Sequence, residues 1–136
     1  MTRSQARVLL MQMLYEMDIQ NDFSEQKKSR FLENNGNGMN EQPRIFFDSI
    51  YQLVTEHKDE IDSMIDKLGN KWSIATMSKV DVEILRLAAA ELFYTETPVS
   101  VTINEAVELG KKFSGDQSGR FINGMLASMV KEKNAQ

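Results

Sequence analysis

VDVEILRLAAAELFYTETPVSVTINEAVELGKKFSGDQSGRFINGML, residues 80–126, is the stretch that decides the fold. It holds three apolar segments of helical period, separated by two punctuated turns. Ser78 and Asp81 stand where the cap and first turn of a helix belong. Val82, Leu85, Ala88, Ala89 and Leu92 then recur at three- and four-residue steps, with Ile84, Leu87 and Phe93 broadening the apolar surface. The Ala88-Ala89-Ala90 run lets a neighbouring helix approach closely, and residues 95–98 end the segment. Thr102 with Glu105 has the spacing of a capping box for the second helix. Ile103, Ala106, Val107, Gly110 and Phe113 line its face, and Glu108 with Lys112 forms an exposed pair. Ser114-Gly115-Asp116 reads as a turn, Ser118 as the cap of the third helix, and Ile122, Met125, Leu126 and Met129 as its face. Gly124 costs about 1 kcal/mol against Ala in a helix interior, a loss that close helix contact would offset.

Upstream, Thr2 and Gln5 have capping-box spacing. Ala6, Leu9, Leu10, Met13, Leu14 and Met17 follow as one helix face, with Tyr15 off that stripe. Arg3 and Arg7, four apart, share a face near the helix start. Two readings of them stand: a solvated helix end, or cations whose unfavourable position at a positive helix terminus an anionic ligand would relieve. Residues 22–32 read as a short helix with Phe23 and Phe31 touching the core, and residues 34–40, NNGNGMN, as a loop. Pro43 suits the first position of a new helix. Phe46, Phe47, Ile50, Leu53 and Val54 continue the apolar stripe, as do Ile61, Met64, Ile65 and Leu68 beyond a break at His57–Lys58, and Gly69 closes that helix. Residues 70–77 form a connector expected to be pinned by the Trp72 ring. The expected fold is all-α, with six or seven helices, no strand, and short links between antiparallel neighbours.

The chain has 136 residues, 41% of them hydrophobic, enough for one domain with its own core. It contains no cysteine, which excludes disulfides, thiolate metal sites and a cysteine nucleophile. No apolar run is long enough to cross a bilayer. Glu16 and Asp18 follow the N-terminal apolar residues with no small-residue cleavage site, so a cytoplasmic location is expected. The net charge of −4 argues against a general nucleic-acid coat. Residues 1–44 are neutral overall, residues 45–108 carry five basic and twelve acidic side chains, and residues 109–136 carry five basic and two acidic ones. An acidic middle is either a solubilising surface or a face for a basic protein partner.

Catalytic patterns are missing. His57 is the only histidine, and there is no His-Glu-x-x-His, Gly-rich phosphate loop or Gly-x-Ser-x-Gly. Glu105 and Glu108 lack the Glu-x-x-His partner that a di-iron bundle uses. A non-enzymatic protein without cofactor or metal is expected. Lys111, Lys112 and Arg120 add positive charge at the segment FSGDQSGRF, whose Phe113 and Phe121 either complete helix faces or stack splayed bases of single-stranded RNA.

Three phrases carry a resemblance: DVEILRLAAAEL, then P-x-x-V-x-INEAVELGKKF, then SGRFINGML. In that order and spacing they resemble the NusB family of bacterial transcription antitermination factors, strongly from residue 80 onward. The resemblance implies two small packed helical bundles, with a subdomain boundary near residues 69–77 (about 1–70 and 71–136), and no catalysis. It implies binding of boxA-type single-stranded RNA in nascent ribosomal RNA leaders together with the NusE ribosomal protein, within the antitermination complex on RNA polymerase. Relatives occur as monomers and as homodimers, so a homodimer is possible. The family's Arg-rich segment lies over Arg3 and Arg7, thinned here by Ser4 and Gln5. Tyr15 matches the tyrosine of the first helix on the RNA side. Lys111, Phe113, Gln117, Ser118 and Phe121 match the RNA-contacting helix end and turn, with Gln117 where the family commonly has Asp. Glu91 falls in the region associated with the protein partner. The alternatives are a protein-only helical adaptor and the helical head of a ribosomal RNA cytosine methyltransferase. A chain ending at Gln136 favours a freestanding factor over the latter.

Overall fold

The structure is a computed structural model describing residues 1–136. Seven helices follow one another without a strand: α1 (Arg3–Gln20), α2 (Glu25–Asn35), α3 (Glu41–Glu56), α4 (Lys58–Leu68), α5 (Lys79–Tyr94), α6 (Val99–Ser114) and α7 (Asp116–Ala135). None is long and apolar enough to cross a membrane. All 29 buried apolar residues belong to one connected core.

The axis of that core is α5. Every residue from Val82 to Leu92 is buried, and the helix packs against α1, α3, α4, α6 and α7. A helix apolar on all sides must be surrounded, and its three alanines are fully enclosed. Buried charges on α5 add ionic links to its neighbours. Arg86 Nη1 donates to Glu83 Oε1 at 2.9 Å and to Asp18 Oδ2 at 3.0 Å, and its Nε and Nη2 donate to Asp62 at 2.8 and 3.0 Å. One guanidinium therefore ties α5 to both α1 and α4.

The first helix follows its sequence closely. Thr2 and Gln5 form the capping box, and Ala6, Leu10, Met13, Leu14 and Met17 are buried. Phe31 is buried and Phe23 half-buried, and the Tyr51 hydroxyl donates to the Phe23 carbonyl at 2.7 Å, anchoring the link between α1 and α2. His57 sits at the break between α3 and α4 and stacks on Tyr94 at 3.8 Å between centroids.

Several local expectations differ. Pro43 is the third residue of α3, still within the first turn, where a missing N–H leaves no helical bond unmade. Pro98, at φ −56° and ψ 137°, caps α6, so that helix begins before Thr102, which is buried inside it. Gly115, at φ +106°, caps α7, and Ser118 lies one turn further in. Lys111 is the partner of Glu108, at 3.7 Å. Gly124 is exposed and touches no other helix; the close α6–α7 contact falls instead at Gly110 and Gly119. A Cβ at Gly110 would lie 2.7 Å from Ile122 Cδ1, and one at Gly119 would lie 2.8 Å from Lys111 Cγ. Trp72 does not pin its connector. The residue is 45% exposed, and Met77 and the half-buried Ile74 face the core instead.

Candidate nucleic-acid interface

The turn joining α6 to α7 presents side chains to two grooves. One, of about 410 Å³, lies between α1, α2 and the end of α6, and includes Met11, Gln12, Tyr15, Phe31, Val80 and Phe113. The other, of about 530 Å³, includes Trp72, Thr76, Ser78, Asp81, Ser114, Gln117, Ser118 and Phe121. Consecutive residues of α5, Val80 and Asp81, and of α6, Phe113 and Ser114, divide between them.

Phe113 sits on the helix face that the apolar period assigns to the core, yet it is 37% exposed, as is Tyr15 in the same groove. Lys112 Nζ lies 5.3 Å from the Phe113 ring centroid. Phe121 is half-buried, with part of its ring toward the second groove. Gln117 is exposed beside it. Lys111 lays its stem over Gly119 and keeps its ammonium in solvent. Two lysines in the last turn of α6 also complement the partial negative charge of a helix C-terminus.

Tyr15 and Phe113 thus share one groove and Gln117 and Phe121 the other, with Lys111 in the last turn of α6 between Glu108 and Gly119. Ser118 lines the second groove but is buried, and its hydroxyl donates to Asp81. That bond fixes the start of α7 against the start of α5, and so sets the wall on which Phe121 stands.

The two arginines of α1 part company. Arg3 is exposed, its guanidinium 4.9 Å from the centroid of Phe46. It lies twelve residues, about 18 Å along the helix axis, before Tyr15. Arg7 is 2% exposed and is forked onto Glu91, itself 1% exposed. Burial alone would lower the Arg7 pKa, but the hydrogen bonds and charge of Glu91, with the charge of Glu105, hold it above its usual value. The expected phosphate contact Arg7 and partner contact Glu91 are thus buried in this structure, where each satisfies the other inside the protein. The sequence carried a signal for the pair. Arg7 and Glu91 each interrupt an apolar helix stripe with opposite charge, and charges on buried stripes require partners. The exposed Trp72 had no such signal.

The NusB family model matches residues 4–131. The chain belongs to the NusB family. The transcription antitermination protein NusB of Acetivibrio thermocellus is 40% identical over 134 residues, which cover 98% of this chain and 91% of that protein. The structure of T. maritima NusB superposes with a TM-score of 0.84 at 29% identity, covering 97% of this chain and 92% of that one. A crystal structure of the antitermination factors NusB and NusE with double-stranded RNA also superposes at 0.84, with 26% identity, covering 97% of this chain and 99% of that one. These NusB relatives match over nearly the full length of this chain.

Proposed function

We propose that this NusB-family chain binds boxA-type RNA of nascent ribosomal RNA leaders as a heterodimer with the NusE ribosomal protein, and that the pair joins the antitermination complex on RNA polymerase. It works in the cytoplasm and performs no chemistry on the RNA. The observation that carries this reading is the half-exposed pair Tyr15 and Phe113 on one groove, with exposed Lys111 and Lys112 beside it. Aromatic faces with nearby cations hold unstacked bases without strict sequence demand. Arg3 adds a phosphate contact at the far end of α1. NusE would be drawn by the acidic middle, where Glu56, Asp59, Glu60, Asp66, Glu96 and Glu108 remain exposed. Glu83, Asp62 and Glu91 are used internally and attract nothing.

A second reading, a protein-only adaptor, is favoured by one observation: with Arg7 internal, a single exposed arginine remains at the α1 terminus. Terminator read-through in a purified transcription system separates the two. On a template with a boxA leader ahead of a terminator, this chain plus NusE should raise read-through, and deleting boxA should remove the gain. Equal read-through on both templates would favour the adaptor.

A further inference from the structure

We infer that Trp72 is a base-stacking platform, and that the groove it shares with Phe121 takes one unstacked base of a bound single-stranded RNA; this rests on the RNA-binding reading above. A tryptophan left nearly half exposed in a chain with a well-filled core is unusual, and its mounting is rigid. The Trp72 amide donates to the Gly69 carbonyl at 2.9 Å, and the Ile74 amide donates to Asp66 Oδ1 at 2.8 Å. A Cβ on Gly69 would fall 2.1 Å from the Trp72 carbonyl oxygen, so only glycine permits that approach. The backbone that carries the ring is therefore fixed in place before anything binds.

The groove's chemistry fits a base better than a phosphate or an apolar side chain. Its volume of about 530 Å³ lies within the range of small-ligand pockets, about 300–1,000 Å³. Trp72 and Phe121 supply aromatic surface, while Asp81 in the same groove repels a phosphate. Ser114 and Gln117 are exposed and engaged in none of the chain's own side-chain hydrogen bonds. They are free to meet the polar edge of a base. Phe113 and Ser114 are adjacent, so a strand leaving the Tyr15–Phe113 groove passes directly into this one.

Trp72 is the only tryptophan, so its emission reports this site alone. A short labelled boxA-type leader RNA is titrated into the full chain with NusE, following RNA anisotropy and tryptophan emission together. The signal of the Trp72→Phe complex is subtracted as background. Emission should be quenched over the concentrations at which anisotropy rises. Trp72→Ala should weaken binding by about 5- to 150-fold, the loss of one stacked base, and Trp72→Phe by less, with its unfolding midpoint unchanged. Rising anisotropy without quenching, or Trp72→Ala binding within about 2-fold of the parent, overturns this inference and leaves the antitermination reading standing. Quenching by NusE alone assigns the groove to protein and also overturns it. No anisotropy change overturns the RNA-binding reading and this inference with it.

Discussion

Arg7 of α1 and Glu91 of α5 form a two-pronged ion pair, Nε to Oε2 at 2.9 Å and Nη2 to Oε1 at 2.7 Å, with both side chains shut away from solvent. Glu105 approaches the same guanidinium at 3.7 Å and also accepts from the Ser4 hydroxyl at 2.6 Å. The pair fastens the helix bearing Arg3 and Tyr15 to the central helix, and so positions those two side chains without being exposed itself.

Glu91→Ala would strand a buried guanidinium, and breaking such a pair costs about 3–5 kcal/mol. Replacing both partners, Arg7→Met with Glu91→Leu, should recover most of that loss. Urea unfolding of the three variants measures it. A Glu91→Ala loss below about 1 kcal/mol, the usual range for exposed ion pairs, would contradict the buried pair.

Glu83 makes stability depend on pH. Burial, reinforced by the adjoining Asp18 carboxylate and only partly opposed by Arg86, pushes its pKa up to about 8. In the unfolded chain a glutamate titrates near 4.3. Below that value both states hold the proton and the full contribution is present. As pH rises the unfolded state loses its proton first, and stability falls until the folded pKa is passed, by at most about 1.4 kcal/mol per unit. Asp18 is shifted the other way: hydrogen bonds and charges from Glu83, Arg86 and Lys79 outweigh the effect of its burial and hold its pKa down. Its contribution is therefore lost only in more acidic solution. Glu83→Gln keeps an N–H donor in place of the carboxyl proton, so its stability should decline less between pH 5 and pH 8. Parallel stability profiles for parent and variant would show that Glu83 is ionised in the folded protein.

Phe113 and Phe121 should separate binding from folding. Phe113 is substantially exposed, so Phe113→Ala should weaken RNA binding by about 1–3 kcal/mol and change unfolding by less than about 1 kcal/mol. Phe121→Ala should reduce both, because its ring also packs against the core. Unchanged RNA affinity in a folded Phe113→Ala variant would remove that groove from the interface.

The helix count and the alternation of helix and break were legible because apolar period and caps are local properties. The capping box at Thr2 and the break at His57 needed no tertiary information. What escaped was set between helices. Thr102 has a good cap sequence, but Pro98 had already started the helix, and packing then enclosed the hydroxyl. Gly124 and Gly119 look alike in sequence, and only the crossing of α6 with α7 decides which one meets a neighbour. For the candidate site, Tyr15 and Phe113 were legible as residue types, but the burial of Arg7 and Glu91 depended on their meeting across 84 positions of chain.

Arg3 and Arg7 make the salt test discriminating. Arg3→Ala should lower the magnitude of the log-affinity slope against log salt by about 0.7, the value of one phosphate contact on a single strand. The doubly substituted Arg7→Met, Glu91→Leu variant should keep the parental slope. A lower slope in that variant would mean that Arg7 turns outward when RNA binds.

The central claim is tested most directly by binding of a labelled boxA leader RNA at two salt concentrations, with and without NusE. Tight, salt-sensitive binding that is strengthened by NusE and lost when the boxA sequence is scrambled is the expected result. NusE binding with no gain from RNA, or an affinity for scrambled RNA equal to that for the boxA leader, would contradict it.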